Sequence, residues 1–196
     1  KKNKRKKVKL IIRLPNWIIH LGLFANNNFN MSLSNKTTNQ FCCFVYSHNV
    51  KQRNAFVHNL NKYKRVDCGG NCINNIGHKI KDKIEFQKIY KFCIAYENCS
   101  SSGYITEKIF DAYASNCIPI YYGTETVTQD FNPETFINGH DFDNEEDLIN
   151  YVIKVDTDEN LYNSFMNKPI FSKKWLEVFN DPNETYFKNI AAKILN

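Results

Sequence analysis

No aspartate or glutamate occurs before Asp67, so all 20 acids of this 196-residue chain lie in its last 130 residues. Chemistry that needs a carboxylate must draw it from that stretch or from another piece of protein. No apolar run reaches the ~18–20 residues of a membrane helix, so the chain as given carries no candidate span. Neither G-x-G-x-x-G nor G-x-x-x-x-G-K-[ST] is present, and dinucleotide and P-loop readings lack their glycines. No internal repeat is visible. The five histidines are scattered in mostly polar surroundings, and no Ser/His/Asp set is legible.

What is present suits one packed domain, or one and a half. Hydrophobic residues make up 42% and aromatics 14%, enough for a core and too much for global disorder. The net charge of +6 is local. Residues 1–7 hold six of the 26 bases and no acid, leaving 20 bases against 20 acids in the rest. A nucleic-acid binder should carry its excess on a folded face. The basic head reads instead as a solvated tail, with a localisation or membrane-surface signal as the alternative.

Seven cysteines is an odd number. Cys68-Gly-Gly-Asn-Cys72 is the nearest approach to a metal pair, without a second pair at zinc-ribbon distance; buried thiols or a local disulfide compete with structural zinc. Cys42, Cys93 and Cys117 lie in apolar runs, where the residue acts as a small hydrophobe. Four N-x-S/T sequons occur, at Asn30, Asn35, Asn98 and Asn183, and permit a secretory location without establishing it.

Residues 1–39 are basic, then apolar, then Asn-rich, and read as a leader or linker remnant. Residues 40–196 read as an α/β domain with C-terminal helices. Phe41–Ser47 is a short buried strand. Lys51–Tyr63 has Phe56, Val57 and Leu60 at helical spacing, and Val66–Cys72 ends in a turn. Lys81–Tyr90 reads as a short helix with Ile84, Phe86 and Ile89 inward. Lys91–Tyr96 and Cys117–Tyr122 are buried strands, joined by a polar loop and a helix that Thr106 can cap. Strand, loop, helix and strand within about 33 residues make a βαβ unit and imply a parallel sheet. Helical or turn segments follow at Glu125–Asp130, Glu145–Val155, Glu159–Asn167 and Glu184–Leu195.

In such sheets ligands bind beyond the carboxyl ends of the strands, which points at Glu97–Lys108. The loop is small and polar, and it opens a helix whose free N–H groups favour a phosphate. Lys108 in the first turn opposes the helix dipole, so it suits an anionic ligand; a solvated surface lysine is the plain alternative. Glu107 suits a helix start on any reading. The D-x-D triplets at Asp141/Asp143 and Asp156/Asp158 lie among acidic helix starts, where such triplets arise by chance, and no metal is assigned to them.

The run Tyr96-Glu97-Asn98-Cys99-Ser100-Ser101-Ser102-Gly103-Tyr104-Ile105-Thr106-Glu107-Lys108, continuing IFDAYASNCIPIYYG, resembles the signature of the α1,3/4-fucosyltransferases, glycosyltransferase family 10. Arg53-Asn54-Ala55-Phe56 is similar to that family's R-x-x-F helix, and Val66-Asp67-Cys68-Gly69-Gly70 to its V-D-x-G-G turn. Phe131-Asn132-Pro133, Phe136-Ile137-Asn138 and Asp141-Phe142 resemble its F-N-P…F-I-N…D-F segment, a fourth block. The likeness covers about residues 41–170.

The resemblance implies the Rossmann-like C-terminal half of a GT-B glycosyltransferase. It implies transfer of L-fucose from GDP-fucose to a glycan acceptor containing N-acetylglucosamine, with inversion and an α1,3-type linkage. Arg53 and Lys108 would face the diphosphate. Asn98 and Tyr104 would bond the phosphates or ribose. Glu107 would hold ribose or fucose hydroxyls and favour positive charge at the anomeric carbon. No cofactor is required, divalent metal assistance is an option, and nucleic acid is not expected as a partner. The family's general base is a carboxylate far upstream of the R-x-x-F helix, whereas only 52 residues precede Arg53 here and none is acidic. The alternative is therefore a catalytically incomplete GDP-fucose-binding fragment. The Golgi lumen, through an anchor outside this chain, is the expected location, with the cytoplasm if the source is bacterial or viral.

Overall fold

The computed structural model describes residues 16–18, 31–38 and 40–195. The apolar runs become five parallel strands: β1 (Gln40–Phe44), β2 (Val66–Cys68), β3 (Tyr90–Tyr96), β4 (Ile118–Tyr122) and β5 (Ile137–Asn138), in the spatial order β2-β1-β3-β4-β5. Six of the seven β3 residues are buried, as expected of a central strand covered on both faces. Its register pairs Phe92 with Ile118 and Tyr96 with Tyr122. The helices are α1 (Lys51–Leu60), α2 (Lys83–Gln87), α3 (Glu107–Ala114), α4 (Glu145–Thr157), α5 (Glu159–Asn163), α6 (Lys173–Phe179) and α7 (Thr185–Leu195).

Neighbouring thiols face opposite ways. Cys42 joins the main core, while Cys43, Cys93 and Cys117 form a smaller one with Ala112 of α3. Small side chains there let α3 lie close to the sheet. Burial pushes the Cys43 thiol well above its ordinary value and Cys117 up to about 12, so both behave as hydrophobes rather than nucleophiles. All seven cysteines are unpaired, and Cys68 is a buried β2 residue.

Helix α3 ends as its sequence directs. Asn116 takes a left-handed φ of 55°, Cys117 N–H donates to Ala112 O at 2.9 Å, and Asn116 N–H donates to Tyr113 O at 2.9 Å. This double closure satisfies the last carbonyls and turns the chain straight into β4.

Three local expectations need correcting. Ile89 is 52% exposed rather than inward; Gln87 is buried instead, donating to Cys93 Sγ and accepting from Ser115 Oγ at 3.0 Å each. Helix α6 and the short β5 had no place in the sequence reading. The described parts of residues 1–39 pack on the domain more closely than a leader or linker would. Trp17 and Leu33 are fully buried, and Trp17 Nε1 shares the Asp130 carboxylate with Trp175 Nε1, each bond 2.9 Å.

Asp156, in the last turn of α4, ties the helical layer to the sheet. Its carboxylate is 2% exposed and accepts from Lys64 Nζ at 2.5 Å, Lys91 Nζ at 2.8 Å and Tyr63 Oη at 2.8 Å. Burial pushes its carboxyl upward, but the bonds from Lys64, Lys91 and Tyr63 outweigh burial and hold it below the usual range. With a depressed folded-state value, its contribution is complete above the unfolded value near ~3.9. It is lost as pH falls through the folded value. Asp156→Asn should therefore lower stability at pH 7 by about 2 kcal/mol, discounted for the exposure of both lysines. It should also flatten the acid limb. Urea unfolding at pH 7 and across the acid range checks this, and a variant as stable as wild type at pH 7 contradicts it.

Candidate functional site

The strand order has a switch point. From β1 the chain crosses through α1 to β2 on one side; from β2 it crosses through α2 to β3 on the other. Such crevices, outside the carboxyl ends of the strands, are where open parallel sheets bind ligands. The loop before α1 and the Glu97–Thr106 loop after β3 both open there. Arg53 comes from the first loop and helix, and Asn98, Tyr104, Glu107 and Lys108 from the second.

The mouth of α3 is organised by a residue that the sequence reading passed over. Glu97 has no exposed side-chain surface. One carboxylate oxygen accepts the Thr106 backbone N–H at 2.7 Å; the other accepts the Thr106 hydroxyl at 2.7 Å and Lys108 Nζ at 3.1 Å. Thr106 is the N-cap residue by position, yet its hydroxyl donates to Glu97 instead of capping a helical N–H. Lys108 Nζ also reaches Thr106 Oγ1 at 2.8 Å and Glu107 Oε1 at 3.5 Å. Burial pushes the Glu107 carboxyl up. Lys108, its own backbone N–H, Lys83 and Thr106 more than reverse this and keep it ionised below its ordinary value. Behind it, Lys83 pairs with Asp111 at 2.6 Å.

Arg53 is 2% exposed. Its Nη2 donates to the Tyr96 carbonyl at the end of β3, its guanidinium carbon lies 6.0 Å from the Phe44 ring centroid, and its buried Nε has no hydrogen-bond partner. Burial lowers its pKa, opposed by the charge of Glu97 and by Tyr46 and Tyr104. The guanidinium thus spans the switch point from α1 to β3. Its Nε is a buried donor whose hydrogen-bonding capacity is unmet.

The loop itself is held by backbone. Tyr104 N–H donates to Ser101 O at 3.0 Å, and Gly103 sits at φ 76°, as the third residue of a type II turn must. Gly103 N–H is shared by Thr124 Oγ1 and Thr126 Oγ1 at 3.1 and 3.2 Å. Gly123 packs so tightly that a Cβ there would lie 2.5 Å from Tyr121 Oη and 2.7 Å from Glu97 Cγ. The Gly123 carbonyl accepts from Ser100 Oγ and meets His140 Nε2 at 2.7 Å, and the His140 ring stacks on Tyr122 at 4.5 Å. Asn98 is exposed and Tyr104 is 36% exposed, so both side chains stand at the open edge of this frame.

The sequence-derived residues therefore fall into two groups. Arg53, Glu107 and Lys108 join Glu97 in a buried or half-buried charge cluster; Asn98 and Tyr104 are at its rim. Glu97 and His140 were missed. Glu97 is legible only as a polar residue ending a buried strand, with its partners nine and eleven positions downstream. His140 carried no local signal. The carboxyl ends of β3 and β4 open onto a cleft of about 180 Å³ lined by Gln52, Tyr96, Tyr122, Gly139, Asn144 and Glu145. Hollows of about 360 Å³ beside β5 and about 450 Å³ at the amino ends of the strands are roomier, and neither they nor the 180 Å³ cleft is lined by any of the five candidate residues. Size alone is a poor guide here, because the charged side chains converge elsewhere. Three of the four D-x-D aspartates have structural work: Asp156 binds lysines, Asp158 caps α5 through Leu161 N–H at 3.0 Å, and Asp141 accepts from Asn138 at 2.9 Å. Among the described residues no three His, Cys, Asp or Glu side chains converge as metal ligands.

The chain is 46% identical over 123 residues to the α-(1,3)-fucosyltransferase of Helicobacter pylori, covering 62% of this chain and 26% of that protein. It is 32% identical over 146 residues to α-(1,3)-fucosyltransferase B of Drosophila melanogaster, covering 63% and 32%. It is 31% identical over 126 residues to human GDP-fucose protein O-fucosyltransferase 3, covering 58% and 26%. The chain thus spans about a quarter to a third of the length of these relatives. A solved α1,3-fucosyltransferase with GDP-fucose superimposes with a TM-score of 0.65 at 42% identity, covering 67% of this chain and 39% of that one. Another, with GDP, gives 0.74 at 30% identity over 86% and 59%. The Rossmann-like parallel sheet expected of a GT-B fucosyltransferase is the sheet found. The family model for the C-terminal region of glycosyltransferase family 10 (fucosyltransferase) matches residues 33–181, and the chain belongs to that family.

Proposed function

We propose that this chain forms the donor-binding part of an enzyme that transfers L-fucose from GDP-fucose to a glycan, with inversion and an α1,3-type linkage. The observation that carries the reading is the convergence of Lys108, the buried Arg53 and the start of α3 at one switch point of the sheet. When the sugar–phosphate bond breaks, negative charge grows on the leaving GDP and positive charge on the sugar. Cations and N–H groups already fixed in place stabilise that charge without reorganising. Each charge-assisted contact contributes about 1.5–3 kcal/mol, roughly one to two powers of ten in rate. In this proposal Lys108 and Arg53 face the diphosphate. Asn98 and Tyr104, at the rim, bond phosphate or ribose. Glu107, ionised and one-third exposed, faces the sugar. The cations do the work assigned to a metal in other transferases, so no resident metal is required.

Asn98 is exposed and Tyr104 is 36% exposed, so the candidate residues end at an open edge, which fits a donor site shared with an opposing surface. That surface would supply the general base and the glycan acceptor, for which N-acetylglucosamine is the proposed unit. A second reading is a GDP-fucose-binding module without turnover. It is favoured by the carboxylates at the mouth: Glu97 and Glu107 are both engaged with Thr106 or Lys108, and neither is an idle base. For location we propose the Golgi lumen, with the cytoplasm as the alternative. Exposed sequons at Asn35 and Asn183 support the former, whereas a glycan on Asn98 would fill the mouth of the site. Lumenal protein should accordingly lose mass on glycosidase treatment at Asn35 or Asn183 and never at Asn98. A glycan found on Asn98 of active protein argues against the donor assignment.

GDP should stabilise the chain. At a hundredfold excess over Kd the gain is ~2.7 kcal/mol, a rise in Tm of roughly 5–10 °C for a protein of this size. Lys108→Ala should remove about half of that rise, as roughly tenfold weaker binding would. Arg53→Ala should do the same on top of a lower starting Tm, because its guanidinium is buried. Equal GDP-induced rises in wild type and both variants would count against the diphosphate assignment. In a turnover assay of an active full-length enzyme containing this chain, GDP-fucose should outperform GDP-mannose and UDP-sugars. Glu107→Gln should reduce transfer by about tenfold or more while changing GDP affinity little. A variant that loses GDP binding and transfer in equal measure removes Glu107 from the sugar side.

A further inference from the structure

The Lys108 ammonium has three N–H donors, and its three neighbours are not equivalent. Thr106 Oγ1 at 2.8 Å and Glu97 Oε2 at 3.1 Å are sound bonds to groups buried behind the helix mouth. Glu107 Oε1 at 3.5 Å is at the outer limit of a hydrogen bond. Glu97 is fully buried, Lys108 is 16% exposed, and Glu107 is 33% exposed, so the weak contact is also the outermost. A lysine in the first turn of a helix is repelled by the dipole, and something must hold it there. Thr106 Oγ1 accepts one of these bonds but is neutral and is itself oriented by donating to Glu97 at 2.7 Å, so the charge that offsets the dipole is the Glu97 carboxylate.

We propose that Glu97 is the positioning residue for Lys108: with Thr106 it fixes two of the ammonium donors from behind and leaves the third, now loosely on Glu107, for a phosphate oxygen of the donor. This rests on the diphosphate reading above. The arrival of phosphate displaces Glu107 rather than Glu97. One binding event thereby orients the cation and releases the Glu107 carboxylate towards the sugar. Glu97 itself does not touch the donor. Its side chain has no exposed surface and already accepts the Thr106 N–H, the Thr106 hydroxyl and Lys108.

The test uses the full chain and two readouts. In calorimetric titrations with GDP, Glu97→Gln should weaken binding by about tenfold, the loss of one well-placed charge-assisted bond. Lys108→Ala should weaken it to a similar degree, and the double variant should be no weaker than Lys108→Ala. Glu107→Gln should bind GDP as wild type does or a few-fold tighter. Glu97→Gln that binds like wild type or tighter overturns the proposal, as do additive effects of Glu97→Gln and Lys108→Ala. The second readout is the NMR coupling across the hydrogen bond between Lys108 15Nζ and the Glu97 carboxyl 13C in the wild-type chain. It requires neither a variant that folds nor GDP. The coupling should be present and should persist when GDP is added. Its absence, or its loss on adding GDP, makes Glu97 a bystander or a competitor and overturns the proposal. A wild-type chain that shows the coupling but binds no GDP defeats the donor reading and confines Glu97 to holding Lys108.

Discussion

A single buried carboxylate sets the shape of the site. Glu97 leaves the end of β3 and closes on the Thr106 N–H, the Thr106 hydroxyl and the Lys108 ammonium. Those bonds fold the intervening loop back on itself and aim the start of α3 at the carboxyl ends of the strands. The neighbouring atoms are fitted to it. Gly123 has no room for a Cβ, which would meet Tyr121 Oη at 2.5 Å and Glu97 Cγ at 2.7 Å. Arg53 bridges to the Tyr96 carbonyl one residue before Glu97, and the carboxylate offsets part of what burial takes from the guanidinium. A buried charge left unpaired would be expensive. Here one carboxylate lies beside two cations, and all are held by the sheet.

The same arrangement explains why the site can bind an anion although it contains two glutamates. The acids are committed, one to the frame and one loosely to Lys108. The positive groups each have capacity in reserve: Arg53 through an unpartnered Nε, and Lys108 through its weakest contact. Preorganisation of this kind lowers the cost of charge development because the dipoles do not have to turn when the bond breaks. The layer behind the site is correspondingly stiff. Helix α3 is closed at its far end by Asn116, backed by small thiols against the sheet, and braced by the Lys83–Asp111 pair.

Much of this was legible from local pattern. The β3–α3–β4 unit could be read because its strands are short, continuous apolar runs and its helix has a polar start and a buried face. The loop could be named as the site because parallel sheets bind at their carboxyl ends. What escaped depends on partners distant in sequence. Helix α6 is brief and begins with two lysines; Trp175 is anchored by Asp130 across 45 positions. Strand β5 has two residues and exists through pairing with β4. Ile89 looked like core on hydropathy, but the buried place went to Gln87, which Cys93 and Ser115 satisfy. Glu97 followed the same rule: a glutamate opening a polar loop reads as solvated until the fold brings Thr106 and Lys108 over it.

The most direct measurement is a crystal structure of the chain with guanosine diphosphate. The expected result is a pyrophosphate at the first turn of α3, between the loops that follow β1 and β3, with an oxygen in hydrogen-bonding reach of Lys108 Nζ. Pyrophosphate density in either of the two larger hollows, with Lys108 untouched, would contradict the assignment of this mouth as the donor site.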